Sequence, residues 1–177
     1  MPQSVEDLVS RAKAGDKDAF GELYSLFFDR IYRFVYVSLR DRELSEDLTQ
    51  NTFLRSWRSL KTFSTSAGSF QAFLFAIARN LLIDWYRKKK PLPLFVAEQK
   101  PSKENLEEEA VQKEAQGVVW KALFRLREME RHLIVLRYFE DLSYREIAKV
   151  VGKNEGAVRV SIYRILKTLK VQLKEDI

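Results

Sequence analysis

Residues 70–90 read FQAFLFAIARNLLIDWYRKKK, an apolar pattern interrupted by Asn80 and Asp84 one helical turn apart and closed by Trp85, Tyr86 and four consecutive basic residues. An Asn side chain both donates and accepts hydrogen bonds, aromatic faces stack on unpaired bases, and cations hold phosphates. The combination therefore fits contact with single-stranded nucleic acid. The plainer reading of the same string is bundle interior, with the aromatics inward and Arg79 paired to a carboxylate. Composition leaves both open.

A second string, LSYREIAKVVGKNEGAVRVSIYRILKTLK, is more specific. Ser143 and Glu146 have the spacing of a capping box, Ala148 is small enough for a close helix crossing, and Gly152 can take the left-handed conformation of a sharp turn. Val158 and Ile162 then fall where a second helix packs back on the first, which is helix-turn-helix geometry. From Arg145 to Lys174 the chain carries eight basic residues against two acidic ones. With Val158, Ile162 and Leu169 inward, Arg159, Val160, Tyr163, Arg164 and Lys167 lie on open surface where such a helix meets a major groove.

A third string, residues 41–58, DRELSEDLTQNTFLRSWR, offers Asp47, Gln50, Asn51, Arg55 and Arg58 on one polar surface, with Leu48, Phe53 and Trp57 at helical spacing behind it. That is either a solvated helix face or a docking face for another protein, and Arg is frequent at interface hot spots.

Catalysis has no comparable support. Glu107, Glu108 and Glu109 are the densest acidic group, but successive helical positions point around the axis and cannot converge on a metal. The lone histidine, His132, sits in REMERHLIVLR and reads as a surface or boundary residue. There is no phosphate-cradling glycine loop and no nucleophile elbow. No catalytic residue, metal or cofactor is expected.

The elements that must position these strings are helical. The chain has 177 residues, 46% hydrophobic and 32% charged, with only six Gly and four Pro, too few for the turns of a sandwich or barrel. Its net charge of +6 favours polyanionic partners. With no Cys, disulfide frameworks and thiolate chemistry are excluded. The charged N-terminus and the lack of a run near ~18 apolar residues predict a cytoplasmic protein without membrane insertion.

Charge divides the chain. Residues 1–90 hold 15 basic and 11 acidic side chains, 91–116 hold 3 and 6, and 117–177 hold 13 and 8. Helices are predicted from Ser4 to Gly15, from Asp16 to a turn at Asp41 and Arg42, and over 44–60. A polar loop at 62–69 and a helix over 70–87 complete a first bundle. Pro91, Pro93 and Pro101 predict a linker, and the following KENLEEEAVQKEA is either disordered or the start of the next helix. Further helices are predicted over 110–127, with Val118, Val119, Ala122, Leu123 and Leu126 inward, and over 128–138, ahead of the helix-turn-helix. The expected fold is all-α: a helical domain at 1–90, an acidic linker at 91–109, and a helix-turn-helix domain at 110–177.

In order and spacing, LSEDLTQNTFLRSWRSL, FQAFLFAIARNLLIDWYRKKK and LSYREIAKVVGKNEGAVRVSIYRILKTLK resemble the bacterial extracytoplasmic-function sigma factors. The resemblance implies a transcription initiation factor that binds core RNA polymerase, directs it to promoters and helps open the duplex. It assigns Asp47, Leu48, Gln50, Phe53 and Arg55 to the β′ clamp helices of the polymerase. It assigns the loop at 62–69 and the helix carrying Asn80 and Asp84, with Arg79, Arg87 and Lys88, to single-stranded minus-ten DNA. Capture of flipped bases offsets part of the cost of melting. The resemblance further assigns Arg159, Val160, Tyr163, Arg164 and Lys167 to the minus-thirty-five major groove, and the second domain to the β flap. The linker is expected to thread towards the active-site and RNA-exit channels. An anti-sigma partner is common in the family. Ala157, Val160 and Ser161 stand where the family often has polar residues, so readout here is expected to lean on methyl contacts and DNA shape. The alternative reading is a stand-alone helix-turn-helix regulator that binds duplex DNA as a dimer.

Overall fold

The computed structural model describes residues 4–89 and 114–175, and every regular element among them is helical. The predicted linker at 91–109 lies outside the described residues.

Helix α1 (Val5–Lys13) starts at Ser4, whose hydroxyl accepts from the Asp7 amide, and α2 (Lys17–Leu39) starts at Asp16, whose carboxylate accepts from the Asp18 and Ala19 amides. Such caps satisfy amides that have no intrahelical partner and contribute about 1 kcal/mol each. Helix α2 ends with Arg40 in the left-handed region (φ 51°), and Asp41 at once caps α3 (Arg42–Ser59). The turn expected at Asp41 and Arg42 is thus made by Arg40 and Asp41.

Helix α3 buries an unexpected face. Ser45, Thr49, Thr52 and Ser56 are all wholly buried, and each hydroxyl donates to a carbonyl one turn back. Small, internally satisfied side chains let α3 lie close against its neighbours without orphaned polar atoms. Short 3₁₀ turns at Leu60–Thr62 and Thr65–Ala67 form the polar loop before α4 (Phe70–Lys89).

The second half begins with α5 (Glu114–Arg125) and α6 (Glu128–Ile134), which runs on into a π-helical turn over Val135–Phe139. Of the residues expected inward on α5, Ala122, Leu123 and Leu126 are buried, whereas Val119 is exposed and Val118 lies at the boundary. The capping box of Ser143 and Glu146 opens α7 (Tyr144–Val151), Gly152 ends it at φ 67°, and α8 (Glu155–Glu175) follows with Val158, Ile162, Ile165 and Leu169 buried.

The two halves share one continuous core. Helix α7 packs on α4. Phe34 of α2 sits edge-on to Phe75 (5.2 Å between ring centroids) and against His132 (4.6 Å). His132 is therefore buried rather than at the surface: its Nε2 lies 2.6 Å from the Ser38 hydroxyl.

Candidate nucleic-acid and polymerase interfaces

Three surfaces carry the sequence-predicted residues. On α3, Asp47 and Gln50 are exposed one turn apart. Leu48 and Phe53 are not available for direct contact. Phe53 is buried against Tyr24 (4.7 Å) and Leu48 is 8% exposed, so both hold the helix in place from behind. Asp47 also lines a groove of about 480 Å³ with Asp41, Glu43, Leu44, Trp85, Lys88 and Lys89. One wall of that groove is acidic and the other basic. The Lys89 ammonium sits 4.4 Å from the Trp85 ring, which uses the electron-rich face of the indole to hold a cation.

Arg55 belongs elsewhere. It lines a smaller groove of about 290 Å³ with Arg58, Ser59, Ile77 and Asn80. Two guanidinium groups, an exposed Asn amide and an apolar floor suit a phosphate and an unstacked base. Nothing in the separate motifs on α3 and α4 places Arg58, Ser59 and Ile77 with Asn80. The alignment of exposed Arg55 and Arg58 three residues apart was the one available signal.

Arg79 is less exposed than Asn80 beside it. It is half-buried and faces Glu128 of α6, and burial lowers its pKa while the nearby Glu128 carboxylate opposes that shift. Asp84 pairs with Arg87 one turn on, which occupies a carboxylate that would otherwise repel phosphate, and Lys88 is exposed.

The third surface is α8. Arg159, Val160, Tyr163, Arg164 and Lys167 are all exposed, and Tyr163 is 61% exposed. Asn154 accepts from the Ala157 amide at the start of this helix (2.7 Å). The Arg159 guanidinium is held from two directions, by Glu155 at 2.8 Å and by the Tyr144 ring at 4.5 Å, while Arg137 approaches the same ring at 4.8 Å. Tyr144 and Arg137 were not singled out from sequence, since only the fold brings the three together. Among the described residues no group of His, Cys, Asp or Glu side chains is placed to hold a metal ion, and no helix is long and apolar enough to cross a membrane.

Two basic helical surfaces thus lie on two halves, one beside the groove at Asn80 and one on the helix-turn-helix. Residues 23–91 match sigma-70 region 2 and residues 117–169 match sigma-70 region 4. The ECF RNA polymerase sigma factor BldN of Streptomyces coelicolor is 36% identical over 174 residues, covering 96% of this chain, which spans 66% of that relative's length. The ECF RNA polymerase sigma factor SigW of Bacillus subtilis is 28% identical over 188 residues, covering 99% of this chain and 100% of the relative. Among solved structures, CnrH in complex with the cytosolic domain of CnrY matches with a TM-score of 0.71 at 25% identity, over 96% of this chain and 97% of that one. The sigma factor RpoE of Bartonella quintana, solved with the anti-sigma factor NepR, shares the fold with a TM-score of 0.67 at 22% identity, over 89% and 98% of the two chains. The chain belongs to the sigma-70 family, in its extracytoplasmic-function branch.

Proposed function

We propose that this sigma factor binds core RNA polymerase, carries it to specific promoters and promotes opening of the duplex, with its surfaces divided as follows. Asp47 and Gln50 dock on the β′ clamp helices, backed by Leu48 and Phe53. Asn80, with Arg55 and Arg58 in its groove and with Asp84, Arg87 and Lys88 along α4, reads single-stranded minus-ten DNA. Arg159, Val160, Tyr163, Arg164 and Lys167 read the minus-thirty-five element as duplex, and the second domain leans on the β flap. Residues 1–90, 91–109 and 110–177 act as reader, linker and duplex-binding domain. The chain works in the cytoplasm and catalyses no reaction of its own.

The observation that supports this most is the groove under Asn80. A stand-alone duplex regulator has no use for a base-sized basic groove remote from its helix-turn-helix, and a match to region 2 is foreign to that class. Because CnrH and RpoE were each solved with a protein partner, an anti-sigma factor is a further expected partner.

The test is transcription from genomic promoter fragments by core polymerase with and without the protein. Initiation that requires the protein, and that fails at strand opening when Asn80 is replaced by Ala, supports the reading. Tight duplex binding without polymerase and no effect on initiation would favour the stand-alone regulator.

A further inference from the structure

The cations proposed for the minus-thirty-five groove are held in different ways. Lys167 rests against Tyr163, one turn back on its own helix, with its Nζ 5.3 Å from the ring centroid. Arg159 is tied across elements. Its Nη2 donates to Glu155 Oε1 at 2.8 Å, one turn back on α8, and its Cζ lies 4.5 Å from the ring centroid of Tyr144, the first residue of α7.

Tyr144 is itself fixed. The capping box of Ser143 and Glu146 sets the backbone that carries it. The Arg137 guanidinium lies 4.8 Å from the same ring, while its Nη1 donates to the Leu142 carbonyl at 3.0 Å. A chain of contacts from the π-helical turn, through Tyr144, thus reaches Arg159. The ring is half-buried, whereas the Arg159 and Glu155 side chains are 60% and 46% exposed. The ring is therefore the fixed partner and the carboxylate the exchangeable one.

An exposed arginine samples many rotamers, and immobilising it at an interface costs free energy at the moment of binding. Holding the guanidinium beforehand removes that cost only for an acceptor that lies where the group already points, so it favours one base edge over others. An unheld arginine also has the nearest phosphate as an alternative, a contact without sequence information. The Glu155 carboxylate opposes that alternative by repelling phosphate. An exposed ion pair is weak enough to yield to a base, and a ring that takes the guanidinium face leaves its N–H edge available for one.

We infer that Tyr144 and Glu155 are positioning residues for minus-thirty-five recognition: they hold the Arg159 guanidinium towards a base edge and off the phosphate backbone, and so set selectivity at one base pair. The inference rests on the minus-thirty-five role proposed above for Arg159.

The test is initiation by core polymerase carrying the full-length protein, at limiting holoenzyme. The templates are a promoter used by the wild type and fragments in which each minus-thirty-five base pair is replaced in turn. Arg159→Ala identifies the pair that Arg159 reads, as the position where preference for the native pair falls at least ~5-fold. There Tyr144→Leu should lower the preference at least ~3-fold, and Tyr144→Phe, which keeps the ring, should retain it. Preferences at the other positions should not change, and Tyr144→Leu should add nothing once Arg159 is Ala. Glu155→Gln should lower the same preference by strengthening initiation on the substituted fragments, where Arg159 turns to a phosphate. Wild-type preference at that pair in Tyr144→Leu, or a loss shared by every position, overturns the role of the ring. Wild-type preference in Glu155→Gln overturns that of the carboxylate. If Arg159→Ala alters the preference at no base pair, the minus-thirty-five role of Arg159 falls, and the inference with it.

Discussion

Asn80 and Arg79 are neighbours with opposite fates. Asn80 looks into the groove beside Arg55 and Arg58, while Arg79 faces Glu128 in the other half. Asn80→Ala is accordingly expected to impair strand opening in a permanganate footprint while leaving polymerase binding unchanged. Unaltered opening would remove Asn80 from the reader. On α8, Arg159→Ala should weaken minus-thirty-five binding by about 1–3 kcal/mol if it makes a direct base contact. Equal affinity of wild type and variant across altered minus-thirty-five duplexes would reject that contact.

His132 allows a prediction about pH. Burial pushes its pKa down to about 3, reinforced by Arg79 and Arg131, with Phe34, Ser38 and Glu128 beside the ring. A value below the ordinary one means that the unfolded chain takes up the proton first as pH falls. The stability from neutral His132 is thus complete above about pH 6.5 and drains as pH drops towards 3. Chemical denaturation should show about 1.4 kcal/mol lost between about pH 7.5 and pH 5.5 from this residue. His132→Gln, which keeps a polar partner for Ser38, should largely abolish that slope, and an equally steep slope in the variant would assign it to another group.

Among the elements, the helix ends were readable because caps are local. Ser4, Asp16, Ser143 with Glu146, and Gly152 all act where their types and spacing indicate. The packing of α3 was not. Its inward stripe of Ser45, Thr49, Thr52 and Ser56 has the period of a buried face without the hydrophobicity that normally marks one, so a search for apolar residues picks out Leu48, Phe53 and Trp57 instead. Tight packing there predicts that Thr52→Leu destabilises the fold by about 1–3 kcal/mol through overpacking, measured by thermal or urea unfolding. A neutral result would mean that α3 can move away from its neighbours.

At the scale of the whole molecule, what sequence reading missed is long-range. Among charged neighbours in the sequence His132 reads as a boundary residue, and only the approach of α2 encloses it. Arg131 likewise appears as a cation in a string but donates to the Val37 carbonyl of a half that lies far away in the chain. All three motif-bearing surfaces, by contrast, were legible as helix faces. What the fold added was their grouping: Arg55 with Asn80, Asp47 with Lys88, and Arg159 with Tyr144.

Every role proposed for this chain depends on its recruitment by polymerase. The direct measurement is co-purification of the full-length chain with bacterial core RNA polymerase, comparing wild type with a folded variant carrying Asp47→Ala and Gln50→Ala. Stable wild-type binding that the two substitutions weaken at least ~10-fold, about 1.4 kcal/mol, is the predicted result. A folded wild-type protein, free of any inhibitor, that fails to associate with core polymerase would show that the chain is not recruited in this way.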